Sequence, residues 1–169
     1  MTTFIALLRA VNVGGTGKLP MSELKALCKA SGFLAIRTYI ASGNVIFESD
    51  MSEKAVKSVL ECRLAEYAGN PVGVIVRTAA EMAAVLGRNP FPHAKPNRTV
   101  AIFLDRTPPS DVLNQVTGRS VEEIGLGKRE IYVHYEDGIA GSKLKIPAAK
   151  TGTSRNMNTV AKLVALAKR

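Results

Sequence analysis

Three polar clusters in this chain combine residue types that can hold an anion. The first is Arg9, Asn12, Gly14, Gly15, Gly17 and Lys18. Glycines leave backbone amides free to approach a phosphate, and a lysine followed by a helix start adds positive charge. The spacing is not that of a Walker loop, because Asn12 stands where the first glycine is required and Leu19 where Ser or Thr would hold magnesium. It is not the dinucleotide spacing either, since Pro20 occupies the position three residues after Gly17. A structural turn remains the competing reading.

The second cluster, Ser42, Gly43 and Asn44, has the composition of a hairpin turn. The third is Thr151, Gly152, Thr153, Ser154, Arg155, Asn156, Asn158 and Thr159, with Lys143, Lys145 and Lys150 leading into it. Hydroxyls, amides and a guanidinium at the start of a helix can form an oxyanion site. Thr153 or Ser154 alone suffices as the helix cap, so the other polar residues are surplus to that need.

The charge distribution points the same way. From Gly138 to Arg169 there are seven Lys or Arg and no Asp or Glu, so +7 of the net +9 lies there and residues 1–137 carry +2. A positive end attracts nucleic acid or a phosphorylated ligand. Catalytic sets are harder to assemble. His93 and His134 lack metal-ligand spacing, and the only adjacent acids are Glu122-Glu123 and Glu136-Asp137, which assign no acid–base pair. No metal or cofactor is expected. Cys28 and Cys62 fall in helical apolar patterns and read as buried reduced thiols, so a cytoplasmic compartment is the default. No apolar run reaches membrane-spanning length and no signal peptide is evident.

The elements that position these clusters follow from periodicity. Thr3–Ala10 reads as a strand, Pro20 opens a helix that Gly32 ends, and 35–40 with 45–48 form a hairpin. Ser52 caps a second helix that Gly69 stops, and 72–76 is a strand. Thr78 and Glu81 form a capping box for a short helix. Strand 99–105, helix 110–117, the strand pair 121–126 and 130–135, and a last helix 154–168 follow. The expected fold is α+β, with two ferredoxin-like βαββαβ halves at 1–78 and 79–169, the second lacking its last strand and so incomplete or swapped. The halves share element order, with no visible residue-level repeat. In such a unit the first and second strands run the same way, so residues 9–18 and 42–44 are expected on one rim.

The run Leu7-Leu8-Arg9-Ala10-Val11-Asn12-Val13-Gly14-Gly15, then Met21 and Leu24, Thr38-Tyr39-Ile40 with Ser42-Gly43-Asn44, Ser142-Lys143-Leu144, and Thr153 to Val160 together resemble the bacterial domain of unknown function 1697 family. The resemblance implies a swapped or duplicated ferredoxin-like structure and brings no activity with it. The chain departs from the family pattern at Met157, where an aromatic is common, and in a shortened stretch between Leu144 and Thr151.

Three functions stay open. The leading one is a non-catalytic binding module for a phosphate-bearing anion, nucleic acid included, using Arg9, Asn12, Gly14, Gly15, Lys18, Ser42, Asn44, Lys143, Thr153, Arg155, Asn156 and Asn158. Against single-strand recognition stands the aromatic content of 5%, with no Trp. The second is a small-molecule enzyme acting on a nucleotide or phosphorylated metabolite. The third is a structural homo-oligomer in which these residues bond to one another.

Overall fold

A computed structural model describes residues 1–9, 19–40 and 43–168. Asn12, Gly14, Gly15, Lys18 and Ser42 lie outside the described residues. The chain divides into two compact units, Met1–Met82 with Leu163–Arg169, and Ala83–Lys162. Among the described residues, eight strands form two four-stranded antiparallel sheets, accompanied by four α-helices, an α+β architecture.

In the first unit, strand β1 (Thr2–Leu8) is a run of apolar residues buried from Phe4 to Leu8. Helix α1 (Met21–Ala30) starts directly after Pro20 and ends before Gly32, which takes φ +85°. Strands β2 (Leu34–Thr38) and β3 (Asn44–Ser49) pair antiparallel. Helix α2 (Glu53–Ala68) begins where Ser52 accepts a hydrogen bond from the Ala55 amide, and ends at Gly69 with φ +77°. Strand β4 (Val74–Thr78) leads into helix α3 (Ala79–Gly87). The capping box forms as expected: the Glu81 amide donates to Thr78 Oγ1 at 3.1 Å, and the Thr78 amide to Glu81 Oε1 at 2.9 Å.

The strand order is β2-β3-β1-β4. Phe4, Ala6 and Leu8 of β1, with Val45 and Phe47 of β3, meet Leu24 and Cys28 of α1 and Val56, Leu60 and Leu64 of α2. Phe33 and Phe47 stack at 4.2 Å. Each Val, Leu or Phe among them contributes about 1.5–3 kcal/mol on full burial, so this face fixes the register of the sheet.

The second unit uses strands β5 (Thr99–Phe103), β6 (Glu123–Leu126), β7 (Glu130–His134) and β8 (Thr153–Asn156), followed by helix α4 (Met157–Ala167). Their order is β6-β7-β5-β8. This corrects the expectation that the second half lacks its last strand. The helix expected from 154 starts only at Met157, and 153–156 form a strand whose inward positions, Thr153 and Arg155, are polar, so that apolar alternation does not mark it. The helix expected at 110–117 is a 3-10 turn, Val112–Gln115, and a second such turn spans Pro147–Thr151. Val112 and Ile146 cover Val100, Ile102, Ile131 and Val133 in place of full helices.

Cys28 is buried, and burial pushes its thiol up to about 12, whereas Cys62 is exposed, contrary to the expectation of two buried thiols. No helix of the described residues is long and apolar enough to cross a membrane.

Candidate functional site

The first unit brings two of the expected residues to one end of its sheet. β1 and β2 both run antiparallel to β3, so β1 and β2 point the same way. The Leu8 amide donates to the Gly43 carbonyl at 2.8 Å, and the Arg9 amide to the Gly73 carbonyl at 2.8 Å. Asn44 lies opposite Leu7, fully buried, and its Nδ2 donates to the Tyr39 carbonyl at 2.8 Å. Arg9 is exposed, and its side chain runs along Gly73, where an added Cβ would sit 3.5 Å from Arg9 Cβ and Cδ. The turn between Tyr39 and Asn44 carries Ile40 at φ +49°, an uncommon conformation for a β-branched residue. Among described residues the shared rim therefore holds for Arg9, Gly43 and Asn44.

The remaining described candidates lie in the second unit. Arg155 is on β8 opposite Ala101 of β5, and is 8% exposed. Its Nη1 donates to Thr153 Oγ1 at 2.9 Å and to the Ser154 carbonyl at 2.8 Å. Burial lowers its pKa to about 10, still charged at neutral pH. Asn156 Oδ1 accepts from the Thr159 amide at 2.9 Å, so Asn156 caps α4, the role expected of Thr153 or Ser154. Asn158 and Lys143 are exposed, as are Lys145 and Lys150.

This unit also holds a cleft that the sequence does not lead one to expect. It has a volume of about 290 Å³ and is lined by Ser120, Glu122, Tyr135, Asp137, Ser142 and Lys143 among others. Glu122 is 5% exposed. Its Oε1 accepts from the Ser120 amide at 2.7 Å and its Oε2 from the Ser142 hydroxyl at 3.1 Å. These bonds, the Ser120 amide foremost, hold its pKa below the ordinary carboxylate value, aided by the nearby Arg119 charge. Arg119 is tied in place by Nε donating to the Glu122 carbonyl at 2.8 Å. Burial raises the Tyr135 pKa, and the Glu122 charge adds to the rise, so Tyr135 stays a neutral phenol. A second hollow of about 180 Å³, lined by Val100, Ile102, Ile139 and Ala149, shares Tyr135 with the first.

A signal for this cleft was in the sequence. The adjacent acids Glu122-Glu123 and Glu136-Asp137 flank a strand pair, and antiparallel pairing of Glu123 with His134 brings both to one end of β6 and β7. Their alignment depends on the hairpin register, which the sequence alone did not specify. The described residues contain no group of three or more His, Cys, Asp or Glu able to hold a metal ion.

The chain is similar over 98% of its length to 98% of the conserved bacterial protein SP0830 from Streptococcus pneumoniae, at 24% identity and a TM-score of 0.81, a likeness of fold. No curated protein matches the chain. Residues 1–132 match a family described as protein of unknown function DUF1697, a stretch that ends within β7 and leaves the basic segment and β8 beyond it. With that match covering well over half its length, the chain belongs to the DUF1697 family.

Proposed function

We propose that this protein is a non-catalytic binding module for phosphate-bearing anions, nucleic acid included, and that the loop 136–152 is its main contact. The observation that carries this reading is that Lys143, Lys145 and Lys150 are all exposed in a stretch free of acids from Gly138 onward. Exposed ammonium groups meet phosphates and release counterions, which makes such binding salt-dependent. Arg155 fits a supporting role, since its fork is directed at Thr153 and Ser154 of its own strand.

The matching strand orders, β2-β3-β1-β4 and β6-β7-β5-β8, support reading the chain as two ferredoxin-like halves, 1–78 and 79–169. The rival reading, a small-molecule site, is favoured by the cleft over Glu122.

Anisotropy of a labelled single-stranded RNA tests the proposal. Binding is expected at about 50 mM salt and should fall steeply by about 200 mM. The triple variant Lys143→Ala, Lys145→Ala, Lys150→Ala should weaken it and flatten the salt slope by roughly 2, since each lost phosphate contact removes somewhat less than one unit. Unchanged binding in that variant, or none in the parent, defeats the reading.

A further inference from the structure

We propose that the open edge of β6 pairs with the β6 of a second copy of this chain, giving a weak antiparallel dimer. The two sheets have four outer strands, β2, β4, β6 and β8. An outer strand offers unpaired backbone groups, and folded chains commonly blunt such edges. β2 slips register between Leu34 and Arg37, with Ala35 at φ +51°. At β4, Lys57 and Glu61 bond the carbonyl and amide of Val74. At β8, the Ser154 carbonyl accepts from Arg155 Nη1.

β6 carries none of these devices. The Gly127 amide donates to the Glu130 carbonyl at 2.8 Å, which makes these two a bonded pair at the hairpin end. Bonded and non-bonded pairs alternate along an antiparallel ladder, so Gly125 and Glu123 are bonded to Tyr132 and His134 of β7. The backbone groups of Ile124 and Leu126 then point away from β7. Among the described residues no hydrogen bond reaches them. The open stretch is short, because at the next outward position the Glu122 carbonyl accepts from Arg119 Nε.

The residues along this edge select a second copy as its occupant. Glu122 and Glu123 stand at one end, Lys128 and Arg129 at the other, and Ile124 to Gly127 between them carry no charge. An antiparallel copy centred on Gly125 sets Ile124 of each chain against Leu126 of the other, and brings Lys128 of each beside Glu123 of the other. Opposite charges then meet at both ends of the pairing, and Leu126, 40% exposed, gains an apolar neighbour. A copy laid parallel would put acid beside acid and base beside base. Glycine at the centre leaves no side chain on the axis. Strands this short bury less than the roughly 1,200 Å² at which stable interfaces begin, so the dissociation constant is expected on the order of 0.1 mM.

Sedimentation of the full chain from about 10 µM to about 1 mM tests the proposal, bracketing that constant. The chain should pass from monomer to dimer, and the amides of Ile124 and Leu126 should exchange with solvent more slowly as concentration rises. Glu123→Lys and Lys128→Glu, both at exposed positions, should each weaken association about threefold to tenfold, because each places like charges together twice per dimer. The double variant restores opposite charges and should recover the parent's association. A chain that stays monomeric at the highest concentration overturns the dimer. A dimer whose Ile124 and Leu126 exchange is unaltered, or whose single variants associate like the parent, forms through another surface and overturns the β6 pairing.

Discussion

Arg77 and Arg155 make the same bond: Arg77 Nη1 donates to the carbonyl of Val76 at 3.1 Å, and Arg155 Nη1 to the carbonyl of Ser154 at 2.8 Å. Each lies on the last strand of its sheet, opposite an apolar residue of the first strand, Ile5 for Arg77 and Ala101 for Arg155. Each is followed at once by the residue that caps the next helix, Thr78 or Asn156. The two units thus share a residue-level device as well as a strand order. Both guanidiniums are almost wholly buried.

Removing Arg155 should therefore act on stability. Arg155→Ala withdraws a donor from Thr153 Oγ1 and the Ser154 carbonyl, and the expected cost is about 1–3 kcal/mol, well above the roughly 0.5 kcal/mol of a surface change. Urea unfolding measures it. A change near zero, combined with weakened RNA binding, would return Arg155 to the ligand.

The paired caps give a second expectation. Thr78→Ala and Asn156→Ala each remove a side-chain acceptor from the third amide of a helix, of Glu81 in α3 and Thr159 in α4. Each should cost about 1 kcal/mol, within a range of about 0.5–2. Near-equal losses in urea midpoints would support the equivalence of the two strand-to-helix junctions. A neutral Asn156→Ala would break it.

Signals of local chemistry were legible in the sequence where one residue decides the outcome. Ser52, Gly69, Gly32 and the Thr78–Glu81 box each set a helix end through a single side chain or a left-handed backbone, and the structure places all four as read. β8 was hidden because its inward residues are polar, and it becomes a strand only through pairing with β5, more than 45 residues earlier in the chain. The shared rim of Arg9 and Asn44 followed from chain direction, which element order fixes. The Glu122 cleft depended on which acids a hairpin register would bring together, and composition carries no register.

The outer edge of β4, the last strand in the order of its sheet, offers a third test. At Val74, Lys57 Nζ donates to the carbonyl and Glu61 Oε2 accepts from the amide at 3.3 Å, while the two side chains pair with each other at 3.3 Å. These α2 side chains satisfy Val74 where a neighbouring strand would otherwise bond. Lys57→Met with Glu61→Leu should leave the helix intact and free this edge. The expected outcome is concentration-dependent association in sedimentation, with a stability loss of roughly 0.5–2 kcal/mol for the two bonds. A monomer indistinguishable from the parent would show that the pair is not guarding the edge.

Glu122 gives the second unit one source of pH dependence. Its folded pKa lies below the ordinary value of 4.5, chiefly through the Ser120 amide, with help from the Ser142 hydroxyl and Arg119. Between the folded and unfolded values the unfolded chain binds more protons, so the stabilisation is complete above about 4.5 and is lost as pH falls through the folded pKa. Protonation would also loosen the bridge between residues 120 and 142, because an acid oxygen accepts the Ser120 and Ser142 bonds less well than a carboxylate. Glu122→Gln keeps the shape and removes the titration. Urea midpoints measured from pH 7 down to pH 3 should fall less steeply in Glu122→Gln than in the parent, and the variant's amide shifts near residues 120 and 142 should stop responding to acid. If the two proteins lose stability in parallel, the carboxylate is not the group that ties these loops together, and the cleft owes its shape to the backbone bridge between Thr117 and Lys145 instead.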